Sequence, residues 1–216
     1  MRNIFIIHGS YGSPQENWFP WLKKELSKLG HRVYVPQFPI PKTRNSGKHE
    51  LKKWLETFDD YKSYLDENSI IIAHSRGNVF AWHLFERINK PINAIFLIAP
   101  FLTFTHWHPD NSDSFYKPKF DWRKIKKMSK YFEVFQSAND DIPVSEGEEI
   151  ANNLNAKLII VKNAGHFNVA YDKKFVEFPL LLRNIKDFIK NILTISRRKN
   201  RDRNGILLAK LMDHCL

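Results

Sequence analysis

The stretch Ser69-Ile70-Ile71-Ile72-Ala73-His74-Ser75-Arg76-Gly77-Asn78 limits the folds open to this chain more than any other. Its apolar, β-branched run reads as a buried strand. The run passes directly into His-Ser-x-Gly, and Val79, Phe80, Trp82, His83, Leu84 and Phe85 follow in a helical pattern. A strand, a sharp turn and a helix with a serine at the apex is the context in which a serine hydroxyl is held out as a nucleophile. Such a turn strains the backbone, so small residues must flank the serine. Gly77 meets that need two positions after Ser75. Ala73 stands two positions before it, where turns of this kind usually carry glycine. The bare x-x-S-x-G pattern carries little information, and its place between a strand and a helix is what gives it weight.

The remaining elements arrange themselves around this unit. Residues 3–7, 32–35, 94–99, 131–137 and 157–161 read as further buried strands. Helices are predicted over 17–29, 51–58, 122–128, 145–154 and 178–195, the last with Leu181, Leu182, Ile185, Phe188, Ile189 and Ile192 on one face. Gly30 ends the first helix. Glu146, Glu148 and Glu149 near the start of the helix over 145–154 suit the positive end of its dipole. Six strands alternating with helices imply a parallel sheet covered on both faces. With right-handed crossovers this is an α/β three-layer sandwich. Residues 1–195 are expected to form one domain and 196–216 a basic tail, either disordered or carrying a short helix over 206–212. The connection from Pro100 to Phe120 is long for such a fold, a length typical of binding loops.

Composition narrows the class. A chain of 216 residues with 43% apolar content can bury a sizeable core and is not of disordered type. Its only cysteine, Cys215, cannot form an internal disulfide, which favours a reducing, cytoplasmic location. The apolar runs at residues 4–7 and 94–104 are too short for a signal core or a membrane span. The formal net charge of +11 raises the question of a polyanionic partner. Most of the lysines are spread along helix faces, however. The one dense cluster, Arg197 to Arg203, lacks the aromatic interleaving of a nucleic-acid surface, so nucleic acid is not expected as a partner.

In open parallel sheets, ligands bind beyond the carboxyl ends of the strands. The polar residues expected there are His8 to Ser13, Ser75, Asp140 and Asp141, and His166. A serine hydroxyl needs a base to become a nucleophile. His166 can take that proton and return it to the leaving group, while a carboxylate orients the imidazole. Asp141 is preferred for the carboxylate, because Asp-x-x-Val spacing to Val144 would aim it across the sheet edge; Asp140 is the alternative. The oxyanion needs preorganised donors. The backbone N–H of Arg76 and that of Ser10 or Tyr11 are the candidates. Trp18, Phe101, Phe104, Trp107 and Phe167 could line an apolar substrate pocket or simply pack in the core. His8 and His74, at strand ends, read as structural. His106, His108 and Asp110 form an H-x-H-x-D cluster with no further ligand at a matching spacing, so no metal is expected. The Gly9-Ser10-Tyr11-Gly12 loop lacks dinucleotide spacing, so no cofactor is expected either.

At these residues the chain resembles the small single-domain serine hydrolases related to the retinoblastoma-binding serine hydrolase, a group that includes bacterial predicted esterases. The matching pieces are Asn17 to Leu26, Ile71 to Gly77, Phe120 to Ile125, Ser137 to Asp141 and Gly165 to Phe167. The resemblance implies an α/β-hydrolase core without a large cap domain, and Ser75, Asp141 and His166 as the triad. Arg76 departs from the small residue common in the family at that position. No Leu-x-Cys-x-Glu segment is present, so the pocket-protein partner is not implied. The expected function is hydrolysis of a small acyl ester by a monomer or homodimer. Cleavage of small amides is the alternative among hydrolases, and a catalytically silent interaction module with a basic tail is the alternative outside them.

Overall fold

The structure, a computed structural model, describes residues 1–42, 47–102 and 114–194. Six strands form one parallel sheet in the order β2-β1-β3-β4-β5-β6. They are β1 (Asn3–Ile7), β2 (Arg32–Tyr34), β3 (Ile70–His74), β4 (Ala94–Ile98), β5 (Phe132–Ser137) and β6 (Lys157–Val161). Helices α1 (Phe19–Lys28), α2 (Leu51–Asp59), α3 (Arg76–Arg87), α4 (Trp122–Lys127) and α5 (Val144–Leu154) alternate with them. Every predicted strand and helix in this region is present, with ends moved by one or two residues. Right-handed crossovers put α1 on one face of the sheet and α2 to α5 on the other. On that second face α2 packs on α3, α3 on α4, and α4 on α5.

The expectation of six buried strands needs one correction. β3, β4 and β5 are buried at every position, and β1 at all but its first residue, but β2 and β6 are half exposed. The two exceptions are the sheet's edges, where one flank has no neighbouring strand. The central register is set by β-branched side chains, as in Ile72 of β3 opposite Ile6 of β1 and Phe96 of β4. Burying each such isoleucine contributes about 2 kcal/mol.

The strand order reverses between β1 and β3, which both emerge at the same sheet edge. That reversal opens a crevice beyond their carboxyl ends, and Ser75 follows β3 there. Residues 1–177 form one compact unit. In the second unit, a helix spans 179–194 with Leu181, Leu182 and Ile185 buried, the centre of the predicted apolar face. The tail beyond 194 lies outside the described residues.

Candidate active site

Ser75 lies between β3 and α3 with φ 55° and ψ −124°, a conformation that costs a non-glycine residue about 1–3 kcal/mol. The surroundings hold it there. Its N–H donates to the Ile98 carbonyl at 2.9 Å, and the Asn78 N–H donates to the Ser75 carbonyl at 2.9 Å. The buried Asn78 side chain adds a second layer, with Nδ2 donating to the carbonyls of both Ser75 and Ile98 at 2.9 Å. Gly77 shows why the turn needs glycine. A Cβ on it would stand 2.7 Å from the Ile7 carbonyl oxygen and 2.8 Å from that of His8. The helix therefore starts pressed against the end of β1. Ala73, inside β3, is fully buried and tolerates its methyl group.

His166 reaches Ser75 from the loop after β6, its Nε2 2.8 Å from Ser75 Oγ. On the other side of the ring, Nδ1 lies 2.9 Å from Asp140 Oδ2 and 3.1 Å from Oδ1. A carboxylate accepts, so Nδ1 carries the proton and Nε2 presents its lone pair to the serine hydroxyl. The expectation for Asp141 is thereby corrected. Asp140 Oδ1 also accepts from the Ile142 N–H at 3.3 Å, an Asx-type turn that directs its carboxylate inward, where its side chain is 1% exposed. The next residue then faces out, and Asp141 meets the Tyr171 hydroxyl instead. That hydrogen bond is the main reason the Tyr171 phenol is pushed up to about 12.

The acid-bearing and histidine-bearing loops are joined by more than the triad contact. Asn139 Oδ1 accepts from the backbone N–H groups of Ala164 and Gly165 at 3.0 and 2.9 Å. Ser137 Oγ accepts from the Ala164 N–H at 3.2 Å. Gly165 (φ 49°) and Phe167 (φ 52°) flank His166 in left-handed conformations. His74 and Trp18 tie the same loop from behind: His74 Nε2 donates to the His166 carbonyl at 2.8 Å, and Trp18 Nε1 to the Phe167 carbonyl at 3.0 Å. Burial lowers the His74 imidazole to about 3, so the ring stays neutral at any working pH.

The loop after β1 closes the opposite side. A Cβ on Gly9 would approach Ser75 Cβ to 2.8 Å, so this loop passes against the serine with no room for a side chain. Ser10 and Tyr11 follow directly, and Arg76 is the first residue of α3. The three expected oxyanion donors therefore lie on the two backbone segments that flank Ser75. The Arg76 side chain links those segments: it is buried, its Nε donates to Ser10 Oγ at 2.7 Å, and its guanidinium lies 5.0 Å from the centre of the Phe115 ring. His8 steadies the loop from below, with Nδ1 donating to the Gly9 carbonyl at 2.8 Å and Nε2 accepting from the Phe38 N–H at 3.1 Å. Burial holds this ring neutral too, at about 4.

The aromatic residues read as candidates for a pocket divide differently. Trp18 and Phe167 are fully buried and Phe101 is 2% exposed, so all three belong to the core rather than to a pocket wall. The hydrogen bond to the Phe167 carbonyl satisfies the buried Trp18 indole, and the Phe167 ring packs edge-on against Phe175 at 5.6 Å. Phe104, Trp107 and the His106, His108 and Asp110 cluster lie outside the described residues. Among the described residues no group of three or more His, Cys, Asp or Glu side chains could hold a metal ion, and no helix is long and apolar enough to cross a membrane. Sequence reasoning did not identify the roles of Asn78, Asn139 and His74. The available signal was a polar residue at a position surrounded by apolar core, as Asn78 is just before Val79 and Phe80.

The chain is similar to known hydrolases in sequence and in fold. The family described as serine hydrolase matches residues 4–186. The chain is 31% identical over 185 residues to YdeN of Bacillus subtilis (strain 168), covering 83% of this chain and 92% of that protein. It is 26% identical over 188 residues to the serine hydrolase RBBP9 of Rattus norvegicus, covering 85% and 94%. The crystal structure of the ydeN gene product of B. subtilis superposes with a TM-score of 0.79 at 28% identity, covering 88% of this chain and all of that one.

Proposed function

The chain belongs to the serine hydrolase family, and from that premise we propose that it cleaves small carboxylic esters through an acyl-enzyme on Ser75. The observation that carries this reading is the hydrogen-bonded line Ser75 Oγ–His166–Asp140, at 2.8 and 2.9 Å. His166 Nε2 takes the hydroxyl proton as Oγ attacks the acyl carbon. Asp140, held by the turn that also engages Ile142, keeps the tautomer and stabilises the imidazolium. The tetrahedral oxyanion forms between the Arg76 N–H and the N–H of Ser10 or Tyr11, two segments joined by the Arg76–Ser10 hydrogen bond. His166 then protonates the departing alcohol, and water repeats the sequence to release the acid.

Labelling with a fluorophosphonate tests the nucleophile. Wild type is expected to label and Ser75→Ala not, with turnover falling on the order of 10⁶-fold. Equal labelling of the two proteins overturns the assignment. Nitrophenyl esters of rising acyl length, run beside the matching anilides, test the substrate class. Faster cleavage of the anilides would transfer the reading from esters to amides.

A further inference from the structure

We infer that His74 is a positioning residue for the reaction: it fixes the main chain of His166 while its neighbour Ser75 engages the same residue's side chain. The inference rests on the reading of His166 as the general base. Residues 74 and 75 hold His166 at two points, through its carbonyl at 2.8 Å from His74 Nε2 and through its Nε2 at 2.8 Å from Ser75 Oγ. The distance between nucleophile and base is then set within a single segment of the elbow, and a shift of the β6 loop cannot open it without breaking the His74 bond. The loop needs such a tie, because Phe167, directly after His166, has a left-handed backbone that a non-glycine residue keeps only when its surroundings over-determine it. Trp18 supplies the next tie along, on the Phe167 carbonyl.

The residue type fits the task. A carbonyl only accepts, so the imidazole must present Nε2–H toward it. The two rings lie 5.1 Å apart, close enough that a cation at position 74 would oppose the imidazolium formed on His166 during turnover. A buried neutral imidazole donates without adding charge. Trp18 and Phe19 pack around the ring edge-on, with centroids at 6.1 and 6.0 Å, and confine it to the orientation that meets the carbonyl.

The test compares His74→Gln with His74→Met, side chains of similar length of which only glutamine has an Nε donor. Steady-state hydrolysis of a nitrophenyl ester is measured for wild type, both variants and Ser75→Ala. The methionine variant is expected to lose about 10²-fold in kcat, the scale of a misplaced catalytic group, at a KM near that of wild type. The glutamine variant is expected to recover most of that loss. A folded methionine variant with wild-type kcat overturns the inference, as does glutamine performing no better than methionine. Activity retained in Ser75→Ala would instead overturn the underlying reading of the site, so the two failures are distinct. If the methionine variant does not fold, His74→Asn, whose amide donor stops short of the His166 carbonyl, takes its place: lowered kcat at constant KM supports the inference and unchanged kcat overturns it.

Discussion

Replacing Asp140 with asparagine separates the two adjacent aspartates by their consequences. The amide keeps the shape of the side chain but can turn its NH₂ toward His166 Nδ1, which lies 2.9 Å from Asp140 Oδ2. The imidazole then moves its proton to Nε2, where it faces the Ser75 hydroxyl as a donor and cannot accept that proton. In the serine protease precedent this wrong tautomer lowers kcat about 10⁴-fold, about 5 kcal/mol at 1.36 kcal/mol per decade. Nothing in the surroundings softens the loss, because the Asp140 side chain is 1% exposed and solvent does not screen its charge. Asp141→Asn changes an exposed carboxylate bonded to a tyrosine hydroxyl at the surface. Surface substitutions of that kind change stability by no more than about 0.5 kcal/mol, so a kcat near that of wild type is expected. The assay is steady-state hydrolysis of a nitrophenyl ester with the fluorophosphonate labelling rate as a second readout, on variants first shown to be folded by circular dichroism. An Asp141→Asn variant as impaired as Asp140→Asn, or an Asp140→Asn variant within tenfold of wild type, would refute the assignment of Asp140.

Two further predictions address what keeps the site in shape. Gly77→Ala puts a methyl group within 2.8 Å of two backbone carbonyl oxygens, so a lower urea midpoint is expected, on the order of the 1–3 kcal/mol cost of overpacking; an unchanged midpoint would mean that α3 can move away from β1. Stability should also fall in mild acid, because His8 and His74 are held at about 4 and about 3 when folded but titrate near 6.5 when unfolded. The unfolded chain therefore binds more protons below pH 6.5, and stability present above that value is lost as pH drops toward 4. From pH 7 to 5 the loss is about 2 kcal/mol for each histidine, read by denaturant titration, and His74→Gln should remove about half of it.

The sheet was legible because its signal is local. Runs such as Ile70 to Ala73 and Ala94 to Ile98 must be buried on both faces, and only a covered parallel sheet offers that environment. The exposure of β2 and β6 was not legible, since position in the sheet order is not written in a strand's composition. The same division holds at the site. Ser75 and His166 could be named because each is the distinctive polar residue of a short segment following a strand. Asp140 and Asp141 are chemically identical neighbours, and the choice between them depends on which way a short turn faces.

By itself the sequence determined the order of elements, the strained serine turn and the classes of side chain that reach the sheet's carboxyl edge, because these follow from periodicity and from residues that tolerate unusual backbone. Tertiary structure alone decided which aspartate meets His166, that Trp18 and Phe167 are core, and that Arg76 joins the β1 loop to the elbow through Ser10. It also decided that His74, beside the nucleophile in the chain, holds the carbonyl of a residue 92 positions away. The physical reason is the same for each. A hydrogen bond depends on distances of tenths of an ångström between groups far apart in the chain, and only the packed sheet and its loops set those distances.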